Sequence, residues 1–263
     1  MYQGNIVLPT SNGPVEAKKR VAEVAPGIHH INTYPFNWYV VEEAGRVTLV
    51  DSGWPGHYAA LVTGLRAIGR TVADIESILI THAHSDHVGM AGPLAREHRI
   101  PVFIHRDDRQ MAEGVLQLPW YGLLSNAWRP HTAFNLLGHA LANGLLAERG
   151  IANAYTLEDG QELDLPGRPR VIHVPGHTPG EVAFALPTRG VVLTGDTLVT
   201  EDLRSGVAGP PQFPHITLNG QDRQARRSVD KLREIGRATL LPGHGKPWTG
   251  TLADAIDGAR RFS

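Results

Sequence analysis

The stretch Thr81-His82-Ala83-His84-Ser85-Asp86-His87 sets three imidazoles and a carboxylate between positions 82 and 87, directly behind the apolar run Ser77-Ile78-Leu79-Ile80. Four titratable groups crowded at a strand end carry a desolvation cost that a bound cation offsets, so the spacing points to metal chemistry. If the strand continues, residues 82 and 84 project to one side and two imidazoles grip one ion. Asp86 and His87 lie past the turn, within reach of a second ion, since two-metal hydrolases hold their ions roughly 3.5 to 4 Å apart. Two cations sharing a water lower its pKa from about 15.7 towards about 7, which makes hydroxide available at neutral pH. Ser52 or Ser85 is then unnecessary as a nucleophile.

Four further stretches could join this motif: Leu49-Val50-Asp51-Ser52-Gly53, Pro175-Gly176-His177-Thr178-Pro179-Gly180, Leu193-Thr194-Gly195-Asp196-Thr197 and Leu241-Pro242-Gly243-His244-Gly245. In this order, with H-x-H-x-D-H among them, they resemble the signposts of the metallo-β-lactamase fold superfamily of metal-dependent hydrolases, and the ligand set is similar to that of glyoxalase II and the lactonases. The resemblance runs over nearly the whole sequence. It implies that His82, His84 and His177 bind a first metal ion, that Asp86, His87 and His244 bind a second, and that Asp196 bridges the two. Asp86 would also act catalytically, carrying a proton to the leaving group. Asp51 would orient an imidazole such as His87 by accepting from its remaining N–H. The implied cofactors are two divalent ions, with zinc the default for a nitrogen-rich set and manganese, iron or cobalt accepted by the same ligands.

The ligands must converge from positions 82 to 244, which favours one domain over residues 1–263. Val21 to Ile31, Asn37 to Val41 and Val47 to Val50 read as strands. Leu61, Leu65 and Ile68 give His57 to Ile68 the period of an amphipathic helix, with His57 a polar residue at its start, and Val88 to His98 reads as another helix. Pro101 to Ile104 follows as a strand, with His105 just past it expected at the surface. Arg170 to Val174, Val182 to Leu186 and Gly190 to Thr194 are short strands, and Gln221 to Ile235 and Leu252 to Arg261 are helices. Arg226, Arg227, Lys231 and Arg233 read as a solvated face. Two mixed halves sharing one seam make an α+β fold and suit the family's αβ/βα four-layer sandwich.

From Arg109 to Asn153 the texture changes to Leu, Ala, Gly and Trp, far beyond the roughly 4 to 6 residues that usually connect packed elements. This reads as a helical insertion. Its flanks lead to metal-bearing strands, so Trp120, Tyr121 and Trp128 are expected as an apolar wall of the substrate site or a homodimer surface, with plain packing of the insertion as the alternative. His131 and His139 within it read as polar-face residues.

Composition narrows the partners. The chain has 263 residues, 41% of them hydrophobic, with 25 basic against 26 acidic side chains, so it carries no electrostatic footprint for nucleic acid or an anionic membrane. No run approaches the roughly 20 apolar residues of a membrane span, and the polar start up to Lys18-Lys19-Arg20 does not read as a secretory signal. With no cysteine, thiolate is absent from the ligands and a cytoplasmic location is expected.

Departures from the family's patterns point away from several substrates. Asp196 differs from the lactamases whose metals lack a bridging aspartate, and one of their groups needs a cysteine ligand. Glyoxalase II carries a helical glutathione-binding domain after its last histidine, where this sequence has only residues 245–263. Acyl-homoserine lactonases place a tyrosine between the bridging aspartate and the final histidine, whereas Tyr155 is the last tyrosine here. The expectation is a binuclear hydrolase whose metal-bound hydroxide attacks a small ester, thioester or lactone carbonyl. The alternatives are a mononuclear iron oxidoreductase like the persulfide dioxygenases, a phosphodiesterase or RNA-processing nuclease, and a non-catalytic metal-binding module.

Overall fold

Alternate side chains of strand β3 (Phe36–Glu43) enter different cores: Trp38 and Val40 join one apolar cluster, Tyr39 and Val41 another, as a period of two requires of a strand buried on both faces. The computed structural model describes residues 21–114, 138, 141–144, 150–203, 206–215 and 220–261. The first sheet contains β1 (Val21–Ala25), β2 (Ile28–Thr33), β3, β4 (Arg46–Val50), β5 (Ile75–Leu79), β6 (Val102–His105) and β7 (Tyr155–Leu157), in that spatial order. It is antiparallel up to β4 and parallel from β4 to β7. The second sheet is built from β8 (Arg170–His173), β9 (Val182–Leu186), β10 (Val191–Gly195), β13 (Arg237–Pro242) and β14 (Trp248–Thr251), ordered β14-β13-β10-β9-β8. A separate hairpin pairs β11 (Val199–Asp202) with β12 (Val207–Gln212).

Three apolar layers define the stacking. On the outer face of the first sheet, Val40, Leu49 and Ile78 pack with Leu61 and Leu65 of α1 (Tyr58–Ala67) and, past α2 (Ser85–Val88), with Leu94 of α3 (Ala91–His98). Between the sheets, Val41, Val50 and Leu79 meet Phe184, Leu186, Leu193 and Leu241. The outer face of the second sheet, with Val192 and Leu240, is covered by the 3-10 helix Val229–Ile235 and the C-terminal helix Leu252–Arg261. The order helix, sheet, sheet, helix is the αβ/βα four-layer sandwich. Each fully buried Leu, Val or Phe contributes about 1.5 to 3 kcal/mol.

Several element boundaries differ from the sequence reading. Val21 to Ile31 is two strands, because Gly27 adopts a φ of 68° in the turn between β1 and β2. Val88 to His98 divides into α2 and α3, which puts Asp86 and His87 inside a short helix. The expected helix from Gln221 to Ile235 is α-helical only over Asp222–Ser228 and tightens to a 3-10 helix over Val229–Ile235. His105 is buried, not at the surface: it ends β6, its ring stacks on His173 at 3.9 Å, and its side chain accepts from the Asp107 N–H to cap α4 (Arg106–Glu113). His57 is likewise buried, and its Nδ1 accepts from the Trp54 N–H. Arg226, Lys231 and Arg233 do face outward, in ion pairs with Asp222, Asp159 and both Asp230 and Asp257.

Helix α4 starts before Arg109, so the first residues of the expected insertion belong to the scaffold. Trp120, Tyr121 and Trp128, with His131 and His139, lie outside the described residues. The chain leaves after Gly114 and is back by Gly150: the Ile151 N–H donates to the Ala112 carbonyl at 2.8 Å. Between these ends, the Asn143 carbonyl accepts from the Gly56 N–H at 2.8 Å.

Candidate metal centre

Every expected ligand follows a strand, and those strands end at one edge of the sandwich. In the first sheet, parallel β4 and β5 deliver Asp51 and the 81–87 stretch side by side. In the second, β10 and β13 run parallel, and β8 points the same way through two antiparallel pairings, so the loops bearing His177, Asp196 and His244 emerge together. Backbone bonds tie the edges of the two sheets: Val182 N–H to Thr81 O at 2.9 Å and Asn37 N–H to Gly243 O at 2.9 Å. The Tyr39 hydroxyl adds a bond to the Pro242 carbonyl at 2.7 Å.

Three nitrogens converge first. His84 Nδ1 lies 3.0 Å from His82 Nε2 and 2.9 Å from His177 Nε2, near the roughly 3.3 Å expected between ligands each roughly 2.0 to 2.1 Å from a shared tetrahedral centre. Strand β5 ends at Leu79, so His82 and His84 meet through the bend of the loop, one by Nε2 and the other by Nδ1, and not by strand alternation. Beside them, Asp86 Oδ2 lies 3.5 Å from His87 Nε2 and 3.6 Å from His244 Nε2. Asp196 stands between the groups, with Oδ2 at 3.5 Å from His177 Nε2 and 3.0 Å from His244 Nε2.

The far sides of His82, His87 and His244 are also held. Asp51 Oδ2 lies 2.8 Å from His87 Nδ1 and accepts from the Thr81 hydroxyl, while Oδ1 accepts from the Thr81 N–H. Asp51 is thus in hydrogen-bond contact with His87, on a left-handed backbone at φ 61°. His244 Nδ1–H donates to the Pro35 carbonyl at 3.0 Å. Glu181 was missed: its Oε2 is 3.3 Å from His82 Nδ1, and its Oε1 accepts from the Asp196 N–H at 3.0 Å. Asp108 was missed as well, and bonds to the loops of both sheets. The legible signal for Glu181 was an acid directly before the wholly apolar run Val182–Leu186.

The electrostatics call for positive charge. Burial would raise Asp196 and Asp86, yet the histidines around them dominate: Asp196 is driven far below the usual carboxylate range, and Asp86 down to about 2. Burial likewise opposes a charged His87, but Asp86, Asp51 and Asp196 outweigh it and raise it well above an ordinary histidine. Burial, then the neighbouring imidazoles, push His82 well below. Glu181 is pushed well up by burial and the Asp196 charge. Among the described residues no lysine or arginine pairs with these acids. His87 Nε2 and Asp196 Oδ1 are buried with no hydrogen-bond partner, a cost that native structures rarely leave uncompensated. A Cβ at Gly243 would collide with Asp196 Oδ1, so only glycine leaves that oxygen room. Nitrogen-rich donors, unsatisfied lone pairs and excess negative charge all fit divalent cations.

The model of the metallo-beta-lactamase superfamily matches residues 33–244 of the sequence, which takes in every one of these residues. The chain belongs to the metallo-beta-lactamase superfamily. Among its relatives, YobT of Bacillus subtilis is 29% identical over 81% of this chain and 84% of its own. YflN of the same organism, described as a probable metallo-hydrolase, is 24% identical over 92% of this chain and 93% of its own. The crystal structure of the family member TTHA1429 from Thermus thermophilus superposes with a TM-score of 0.65 at 26% identity, covering 91% of this chain and 80% of that one. No helix among the described residues is long and apolar enough to cross a membrane.

Proposed function

We propose that this chain is a binuclear metal-dependent hydrolase acting on a small carboxylic ester, thioester or lactone. The observation that carries the reading is the convergence of His82, His84 and His177 beside Asp86, His87 and His244, with Asp196 between them and its Oδ1 and His87 Nε2 buried and unsatisfied. Membership of the superfamily and the description of YflN support hydrolysis. When bound, the ions would supply Lewis acidity, which acidifies a water and polarises a carbonyl oxygen.

The chain's own residues supply position and proton handling. Asp51, Glu181 and the Pro35 carbonyl fix the imidazole rings, so the ligand atoms need no reorganisation. Asp86, at 15% exposure, is the most open acid of the set. Held down to about 2, it is a carboxylate at neutral pH and must gain a proton before it can pass one to a leaving group. Phe36 packs edge-on against His244 and against Trp54, forming a buried apolar flank that excludes water from one side of the centre. A formal net charge of -1 gives the chain no overall attraction for a polyanion, which favours a small-molecule substrate, and a cysteine-free chain suits the cytoplasm.

Elemental analysis and a substrate panel test this. Two zinc-like ions per chain, with ester, thioester or lactone turnover lost in His84→Ala, is the expected result. One iron with oxygen consumption would mark a dioxygenase, and metal-dependent cleavage of phosphodiesters alone a nuclease.

A further inference from the structure

Asp108 belongs to neither ligand group, yet it is fully buried at 0% exposure and joins the two sheets at the site. Its Oδ2 accepts from the Ala83 N–H at 2.9 Å and from the Thr178 hydroxyl at 2.7 Å. Its Oδ1 accepts from the Gly180 N–H at 2.7 Å. Ala83 lies between His82 and His84, and Thr178 directly follows His177. One carboxylate thus holds both backbone segments that carry the three-histidine group, and among the described residues it pairs with no lysine or arginine. A buried acid that only filled space would cost stability unless its oxygens were satisfied. Here all the satisfying donors come from the loops that must meet.

The surroundings of Asp108 are built to the same purpose. The His105 side chain caps the helix that carries it, and His105 stacks on His173, four residues before His177, with 14° between the rings. The carboxylate is therefore referenced to the strand that leads into the His177 loop. A Cβ at Gly180 would come within 2.7 Å of the Asp108 Cβ and Cγ, so glycine is needed for the loop to close on the acid. The other half of the centre is fixed by different contacts: Asp51 to His87, and the Pro35 carbonyl to His244.

We propose that Asp108 is a positioning residue that locks loop 81–84 to loop 177–180, so that the nitrogens of His82, His84 and His177 converge before any ion arrives, and that it thereby sets metal affinity in that half of the centre alone. The inference rests on the binuclear reading above. Asparagine at 108 keeps an oxygen for Ala83 and Thr178 but turns an amide N–H towards the Gly180 donor, whereas Thr178→Val removes one donor and little volume.

The test is titration of the metal-free protein with zinc, followed by calorimetry, and with cobalt, followed by its ligand-field absorption, each variant checked for cooperative melting. Asp108→Asn should weaken one equivalent by about 10- to 100-fold, the range seen when the partner of a metal ligand is removed, and leave the other within about twofold. Thr178→Val should act in the same direction by less. Combined with His244→Ala, Asp108→Asn should weaken the remaining equivalent; combined with His84→Ala it should not. Equal weakening of both equivalents, no weakening of either, or loss of the His84-independent equivalent would each overturn the proposal. A wild type that takes up a single equivalent overturns the binuclear reading, and the role of Asp108 then stands or falls on whether Asp108→Asn weakens that one.

Discussion

His82, His84 and His177 present three imidazole nitrogens and no carboxylate, whereas Asp86, His87 and His244 include an acid that is 15% exposed. The first group spans the two sheets and is held by neutral hydrogen-bond donors gathered on one buried acid. The second is held by charge, with Asp86, Asp51 and Asp196 surrounding His87. In a nitrogen-only group, binding depends on how well the rings are aimed in advance. In an acid-rich group, Coulomb attraction forgives some misalignment. Loosening the frame should therefore hurt the first half more, and removing charge should hurt the second.

Asp196→Ala breaks the comparison outright, because its oxygens approach both groups. Both equivalents of metal should be lost and kcat/KM should fall about a thousandfold or more, as losing several kcal/mol of metal stabilisation implies. Near-full occupancy after this change, measured by elemental analysis, would refute the ligand assignment. Next in size, His84→Ala and His244→Ala should each cost one equivalent, and a different one, so that competition with a chelator releases metal in a different order from the two variants. Asp51→Asn sharpens the contrast: with His87 losing its charged partner, affinity in the second half should drop by about 10- to 100-fold while the first is unchanged. Smallest, Trp120→Ala and Trp128→Ala should raise KM for an apolar substrate a few-fold at constant metal content, since apolar contacts remote from the reacting atoms chiefly alter binding. An unchanged KM with a dimer turned into a monomer would make that segment an interface.

His177, Asp196 and His244 stood out because each directly follows a glycine in a short loop after an apolar strand, and His82, His84, Asp86 and His87 because four titratable groups crowd six positions behind another. Asp51 stood out as an acid that ends the apolar run Val47 to Val50. Glu181 and Asp108 were not singled out, because half of their partners are backbone N–H groups, those of Asp196, Ala83 and Gly180, and a backbone donor looks the same at every position. Asp108 meets Gly180 across 72 residues, a pairing that only the closing of two sheets creates. His105 was misread because a polar residue just past a strand is usually solvated, and nothing local announces that His173 lies across it. The element boundaries differed where a glycine or a tightened helix interrupted an otherwise even period, as at Gly27 and Val229–Ile235.

Ile151 bonding back to Ala112 brings the two ends of 115–149 together, and the bond from Gly56 to Asn143 ties one point within that stretch to the loop before α1. With its ends this close, a change in the length of that stretch need not disturb the strands on either side of it. Loop closure costs only about 0.6 kcal/mol more for each doubling of length. A graft that exchanges this stretch for its counterpart in a relative, with Asn143 kept, is therefore expected to leave metal uptake by His82, His84 and His244 unchanged.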